Sequence, residues 1–125
     1  LLLSNIKKND IIGYGASTKG NIVLNQCGIT AKDISYICDE NPYKFGRFTP
    51  GSNIKIISKK EMRKIKPKYL LVLIWSFRKE VIIQEKEYLE SGGKMIFHLP
   101  SLHIIDKENY RDFLNKDFGT FSFDY

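Results

Sequence analysis

An α/β fold with a mainly parallel sheet is what this chain predicts, and three observations carry the prediction. Five apolar stretches, DIIGY, DISYIC, NIKII, KYLLVLIW and KMIFHL, recur between turn signals and read as strands. Helical periods lie between them, and strand–helix alternation implies crossovers that set parallel strands side by side. The fourth stretch is apolar on both alternations, as a strand covered on both faces must be, and so belongs at the sheet centre. Together these describe a Rossmann-like three-layer domain with about five strands.

The elements follow in order. The first strand runs from Asp10 straight into GYGASTKGN, after which Ala16, Gly20, Val23, Leu24 and Cys27 fall on one helical stripe that Gly28 terminates. The second strand ends at Asp39. The connection ENPYKFGRFTPGSN then shows neither helical nor strand period, and loops of that length are often functional. Past the third strand, Ser58 and Glu61 match a capping box ahead of Met62 and Ile65, giving a short helix that stops before Pro67. A third helix spans residues 78–90, with Val81, Ile82, Tyr88 and Leu89 on its buried face and Gly92 and Gly93 at its end. Residues 1–105 form the domain, and 106–125 a tail or linker in which Phe121, Phe123 and Tyr125 alternate with Ser122 and Asp124, as an added edge strand would.

The 125 residues suit one domain of ordinary soluble composition. Twenty Lys and Arg against fourteen Asp and Glu leave a net charge of +6, which favours anionic partners. The run KKEMRKIKPK reads as a solvated helix face, and without a nucleic-acid motif beside it no nucleic-acid partner is expected. No apolar run approaches the roughly 20 residues that span a bilayer, and LLLSNIKKND is too short for a signal peptide, so a cytoplasmic setting away from membranes is expected. Leu1 in place of Met points to a fragment of something longer. Cys27 and Cys38 lack CxxC spacing and read as small buried hydrophobes in a reducing compartment, with no metal site.

GYGASTKGN nearly spells two phosphate loops and is neither. A dinucleotide fingerprint needs a sixth-place glycine where Thr18 stands, and a P-loop needs its lysine after the last glycine, whereas Lys19 precedes Gly20. What survives is their shared physics: a buried strand ends in a glycine turn, and the free N–H groups of the next helix attract an anion. Gly13, Tyr14, Gly15 and Ala16 form that turn, Ser17 and Thr18 add hydroxyls, and Lys19 adds a mobile charge. Ligands of open α/β sheets sit at the carboxyl ends of strands. On that rim the sequence places Asp39, a ribose-binding acid or a cap for the Asn41–Pro42 turn, and Lys44 and Arg47 of the long loop. Trp75, Ser76 and Phe77, then His98, Leu99 and Pro100, complete it. The two aromatics either stack on a base or close the core, and His98 and His103 read as structural. No catalytic set can be assembled.

The ordered blocks GYGASTKGNIVLNQCGI, DENPYKFGRFTPGSNIKI, PKYLLVLIWSFRKEVI and GGKMIFHLP resemble the C-terminal domain of sugar C-methyltransferases over residues 3–100. The resemblance implies an S-adenosylmethionine-dependent enzyme that methylates a carbon of nucleotide-linked deoxy-keto-sugars. It also implies that the methyl donor and the catalytic residues belong to earlier domains of the same chain, with no cofactor inside this segment. It places Gly15 to Lys19 against phosphates, and Asn41, Lys44, Arg47, Trp75 and Phe77 along the nucleotide cleft. The family pattern has AWNF where this chain has Ile74, Trp75, Ser76 and Phe77, so an amide gives way to a hydroxyl. A free-standing module that binds a nucleotide sugar or other phosphate ligand without catalysis is the competing expectation.

Overall fold

The computed structural model describes residues 5–99 and 101–114. Its sheet has six strands in the order β3-β2-β1-β4-β5-β6. They are β1 (Ile11–Tyr14), β2 (Tyr36–Asp39), β3 (Lys55–Ser58), β4 (Tyr69–Val72), β5 (Lys94–Phe97) and β6 (His103–Ile105). The first five are parallel, and β6 runs antiparallel to β5. The expected mainly parallel α/β sheet is thus present with one strand more. The added strand is three residues long and lies at the sheet edge with Leu102 and Ile104 exposed, so it leaves too short an alternation to read.

Strand β1 sits mid-sheet, pairing with β2 through Gly13 and Ile37 and with β4 through Gly13 and Leu71. Order reverses here, since β1 is followed by β2 on one side and β4 joins the other, which makes its carboxyl end the topological switch point. Strand β4 shows the two-sided burial its sequence requires: Leu70 and Val72 join one core, Leu71 and Leu73 the other. It ends at Val72, and Trp75–Phe77 form a 3-10 turn rather than the strand's last residues.

Helix α1 (Thr18–Gln26) covers one face through Gly20 and Leu24. Gly28, at φ 69°, ends it, with Ile29 N–H donating to Leu24 O at 2.9 Å and Gly28 N–H to Asn25 O at 3.3 Å, the two bonds of a Schellman stop. Cys27, expected inside, is exposed because this stop turns it off the stripe, while Cys38 is buried as expected.

The opposite face carries α2 (Lys59–Ile65), α3 (Arg78–Gln84), α4 (Lys86–Glu90) and α5 (Tyr110–Leu114). Met62, Val81, Ile82, Tyr88, Leu89 and Tyr110 fill the core there. Ser58 Oγ accepts from Glu61 N–H at 3.0 Å, as the capping pattern requires, and Lys66, at φ 53°, closes α2 ahead of Pro67. The helix expected over 78–90 is broken at Glu85, where φ and ψ are −106° and 28°. Periodicity could not show this, because the break turns Glu85 inward to Arg63 and Tyr14, distant in sequence. Of the expected tail, residues 110–114 form α5, and Tyr110 is buried. The alternation over 118–125 lies outside the described residues.

Leu24 is fully buried and Ile22, on the same helix, is half exposed. Leu24→Ala should lower unfolding stability by about 2–5 kcal/mol and Ile22→Ala by no more than about 0.5 kcal/mol, read from urea denaturation midpoints.

Candidate functional site

Two clefts open at the carboxyl rim, divided by Ile74 and Phe77, which border both. The first, about 310 Å³, lies between the start of α1 and the end of β4, lined by Ser17, Thr18, Lys19, Leu73, Ile74, Trp75, Ser76 and Phe77. Ser17 Oγ accepts from Gly20 N–H at 3.0 Å and so starts the helix. Among the described residues, no group accepts from the N–H of Ser17, Thr18 or Lys19. These donors and the exposed Lys19 give the cleft a positive wall, faced by Trp75 and Phe77.

This approach depends on two glycines. Gly15 has φ 97°, and a Cβ there would lie 2.6 Å from Ile74 Cγ2; a Cβ on Gly20 would lie 2.9 Å from Gly15 O. Gly20 therefore supplies the close helix contact that a sixth-place glycine gives in a dinucleotide fingerprint, two places later in the chain.

The turn itself is less open to anions than the loop sequence implies. Asp39 Oδ2 accepts from Ala16 N–H at 2.9 Å, and Gly15 N–H donates to Cys38 O at 2.9 Å. Asp39 Oδ1 accepts from Asn41 N–H at 2.9 Å, so this acid caps the turn at Asn41–Pro42. Lys44 Nζ donates to Ala16 O at 2.9 Å and lies 3.8 Å from Asp39 Oδ2, tying the long loop to the turn. Asn41 Oδ1 accepts from Tyr43 N–H in the same loop, and Arg47 is exposed; neither lines either cleft. Gly13 is buried in β1, below the rim.

The second cleft, about 350 Å³, holds Tyr14, Gly15 and Asp39 together with Glu40, Lys59, Glu80, Val81 and Gln84. Lys59 opens the basic run taken for a solvated face, yet its side chain is only 13% exposed. Its Nζ donates to Glu40 Oε1 at 2.7 Å and Gln84 Oε1 at 2.8 Å and lies 4.8 Å from the Tyr14 ring centre. Beneath it, Tyr14 O–H donates to Glu85 Oε2 at 2.9 Å, and Arg63 binds both Glu85 oxygens at 2.9 and 2.6 Å. Burial, then the Glu85 charge, pushes the Tyr14 phenol far above its ordinary range, so it stays a donor. Burial pushes the Cys38 thiol up to about 12, which leaves it inert. Lys59 and Gln84 carried no sequence signal, since long-range partners place them.

His103 stacks between Phe97 and Phe113 at 5.1 and 5.4 Å. Arg78 only donates, so His103 Nε2 accepts from it at 3.2 Å and Nδ1 carries the proton toward Ser101 O. Both ring nitrogens are thereby engaged, as a structural histidine's should be. His98 is half buried, and burial lowers its pKa. Among the described residues no three His, Cys, Asp or Glu group as metal ligands, and no helix is long and apolar enough to cross a membrane.

Two outcomes follow from this geometry. Gly15→Ala should cost about 1–3 kcal/mol of stability, measured by thermal or urea unfolding, because it meets both the positive φ and Ile74. Hydrogen bonding from Lys59 holds the Glu40 carboxyl below its ordinary range. A depressed carboxyl pKa means the contact is fully present above the unfolded value, about 4.3, and is lost as pH falls through the folded one. A carbon-13 titration of Glu40 should give a midpoint below that value, rising toward it in Lys59→Met.

Comparison with known proteins bears on what this rim serves. Residues 1–100 match the model of the C-methyltransferase C-terminal domain. The C-methyltransferase NovU of Streptomyces niveus is 38% identical over 99 residues, covering 79% of this chain and 24% of that protein. The chain thus spans about a quarter of the relative's length. With the glycine turn, both clefts and the greater part of both cores inside the matched residues, the chain belongs to the C-methyltransferase C-terminal domain family.

Proposed function

We propose that this domain binds the diphosphate of a nucleotide-linked deoxy-keto-sugar for an S-adenosylmethionine-dependent C-methyltransferase. One juxtaposition carries the reading. At the switch point of the sheet, the unengaged N–H groups of Ser17, Thr18 and Lys19 and the Lys19 ammonium face a cleft large enough for a diphosphate and walled by two aromatics. The contact set shifts from the turn to the helix start, since Asp39 already holds Ala16 N–H and its charge would repel phosphate there. Asn41 and Lys44 act by shaping the loop rather than by touching ligand.

At the end of β2, where a dinucleotide fold holds a ribose, Asp39 already accepts from Ala16 and Asn41 N–H and lies 3.8 Å from Lys44 Nζ. In this reading the methyl donor, and the base that would take a proton from the carbon beside the sugar ketone, belong to an upstream domain of the same polypeptide. This domain's contribution is to bind and orient, and to leave the reacting end of the sugar facing that neighbour.

Lys19→Ala should weaken binding of a nucleoside diphosphate by about 1–3 kcal/mol without lowering the unfolding midpoint, since Lys19 is exposed. Isothermal calorimetry paired with thermal unfolding checks this, and an unchanged affinity removes the phosphate role.

A further inference from the structure

We propose that residues 115–125 of this chain seat in the cleft between α1 and the end of β4, as an internal occupant that a phosphate ligand must displace. They lie outside the described residues, and the end of α5 sets where they start. The competition rests on the diphosphate reading above; the contact itself does not.

Helix α5 carries the chain from the opposite edge of the sheet up to the carboxyl rim. At its start Tyr110 O–H donates to Glu90, the last residue of α4, and at its end Phe113 stacks on His103 at 5.4 Å. His103 pairs with Phe97, where β5 finishes, and the Arg78 guanidinium lies 4.8 Å from the Phe113 ring centre. Arg78 follows directly on the Trp75–Phe77 turn that walls the cleft. The segment therefore leaves α5 beside that wall, and its eleven residues reach about 36 Å when extended.

Other seats within that reach are poorer. A strand outside β6 and parallel to it would be entered through α5. The β4–β5 connection crosses the same face in the same direction, and such crossovers are right-handed. Because β6 runs the opposite way, a crossover through α5 would be left-handed. The outer surface of α3 offers Ile83, 59% exposed, among charges of both signs, which is too little to cover a run of aromatics.

The cleft matches the segment on both sides. FGTFSFDY alternates Phe121, Phe123 and Tyr125 with Ser122 and Asp124, so an extended chain shows one aromatic side and one polar side. Trp75 and Phe77 form one wall of the cleft, and Phe77 is 55% exposed. The facing wall carries Ser17, Thr18 and Lys19, and none of the described residues lining the cleft is an acid. With its rings against the aromatic wall, the segment turns Asp124 toward the Lys19 ammonium, the charge that a phosphate would use.

Trp75 is the one tryptophan of the chain, so its fluorescence reads the contact directly. Ending the chain after Leu114 should shift Trp75 emission to longer wavelength and raise its quenching by acrylamide, and pyrophosphate added to the 125-residue chain should do the same. Calorimetry should show the shortened chain binding pyrophosphate about three- to tenfold more tightly, as expected when an occupant fills the cleft for about 70–90% of the time. Phe121→Ser combined with Phe123→Ser in the 125-residue chain should give both changes, which keeps the test open if the shortened chain does not fold. Unaltered Trp75 emission and quenching in both variants overturns the proposal, since no contact is then being lost. Weaker or equal pyrophosphate binding without the segment overturns it too, since the segment then does not compete. If Trp75 responds while pyrophosphate binds none of these chains, the contact stands, and the diphosphate reading falls together with the competition.

Discussion

The approach of α1 to the end of β1 is the constraint on which the rim depends. It exists because two positions carry no Cβ: Gly15 lies against Ile74, and Gly20 lies against the Gly15 carbonyl and Leu73. Backbone contact at these distances brings the helix start to the sheet's switch point, where its unsatisfied N–H groups face outward. A side chain at Gly20 would push the helix away from the end of β1, and one at Gly15 would press on Ile74, which divides the two clefts. Glycine here trades chain entropy for a close contact that no other residue permits.

Asp39 works with that packing. Its carboxylate gathers Ala16 N–H and Asn41 N–H, and Lys44 reaches past it to Ala16 O, so turn and long loop are fixed by one partly exposed polar junction. The same junction decides which backbone donors stay open. A carboxylate 2.9 Å from Ala16 N–H fills that donor, which leaves the N–H groups from Ser17 onward as the open ones.

A second polar junction lies on the other side of the sheet. Glu85 is about 1% exposed yet meets Arg63 through both oxygens and Tyr14 through its hydroxyl, so the cost of burying its charge is met locally. Turning inward, it interrupts the helix over 78–90 and joins β1, α2 and the α3–α4 break in one unit. Lys59 stands above this unit, held by Glu40 and Gln84 from different elements. The second cleft is thus a product of long-range polar pairing, whereas the first comes from backbone packing.

The sequence by itself determined what nearest neighbours and periodicity control. The five parallel strands, the Ser58 cap, the Gly28 stop, the two-sided burial of β4 and the buried face of 78–90 were legible because each arises within a dozen residues from sterics, local hydrogen bonds or the solvent–core alternation. The rim was legible as a place, since strand ends and glycine turns mark it, and Ser17, Thr18, Lys19, Trp75 and Phe77 do share one cleft. Tertiary structure alone decided that Asp39 and Lys44 serve the turn, that Arg47 stands apart, that Glu85 breaks its helix, and that Lys59, first of a basic run, is enclosed. For Asp39, Lys44, Glu85 and Lys59 the outcome depends on a partner more than 20 residues away. A side chain's charge and size are written locally, but the group it will meet is fixed only when distant strands take their register.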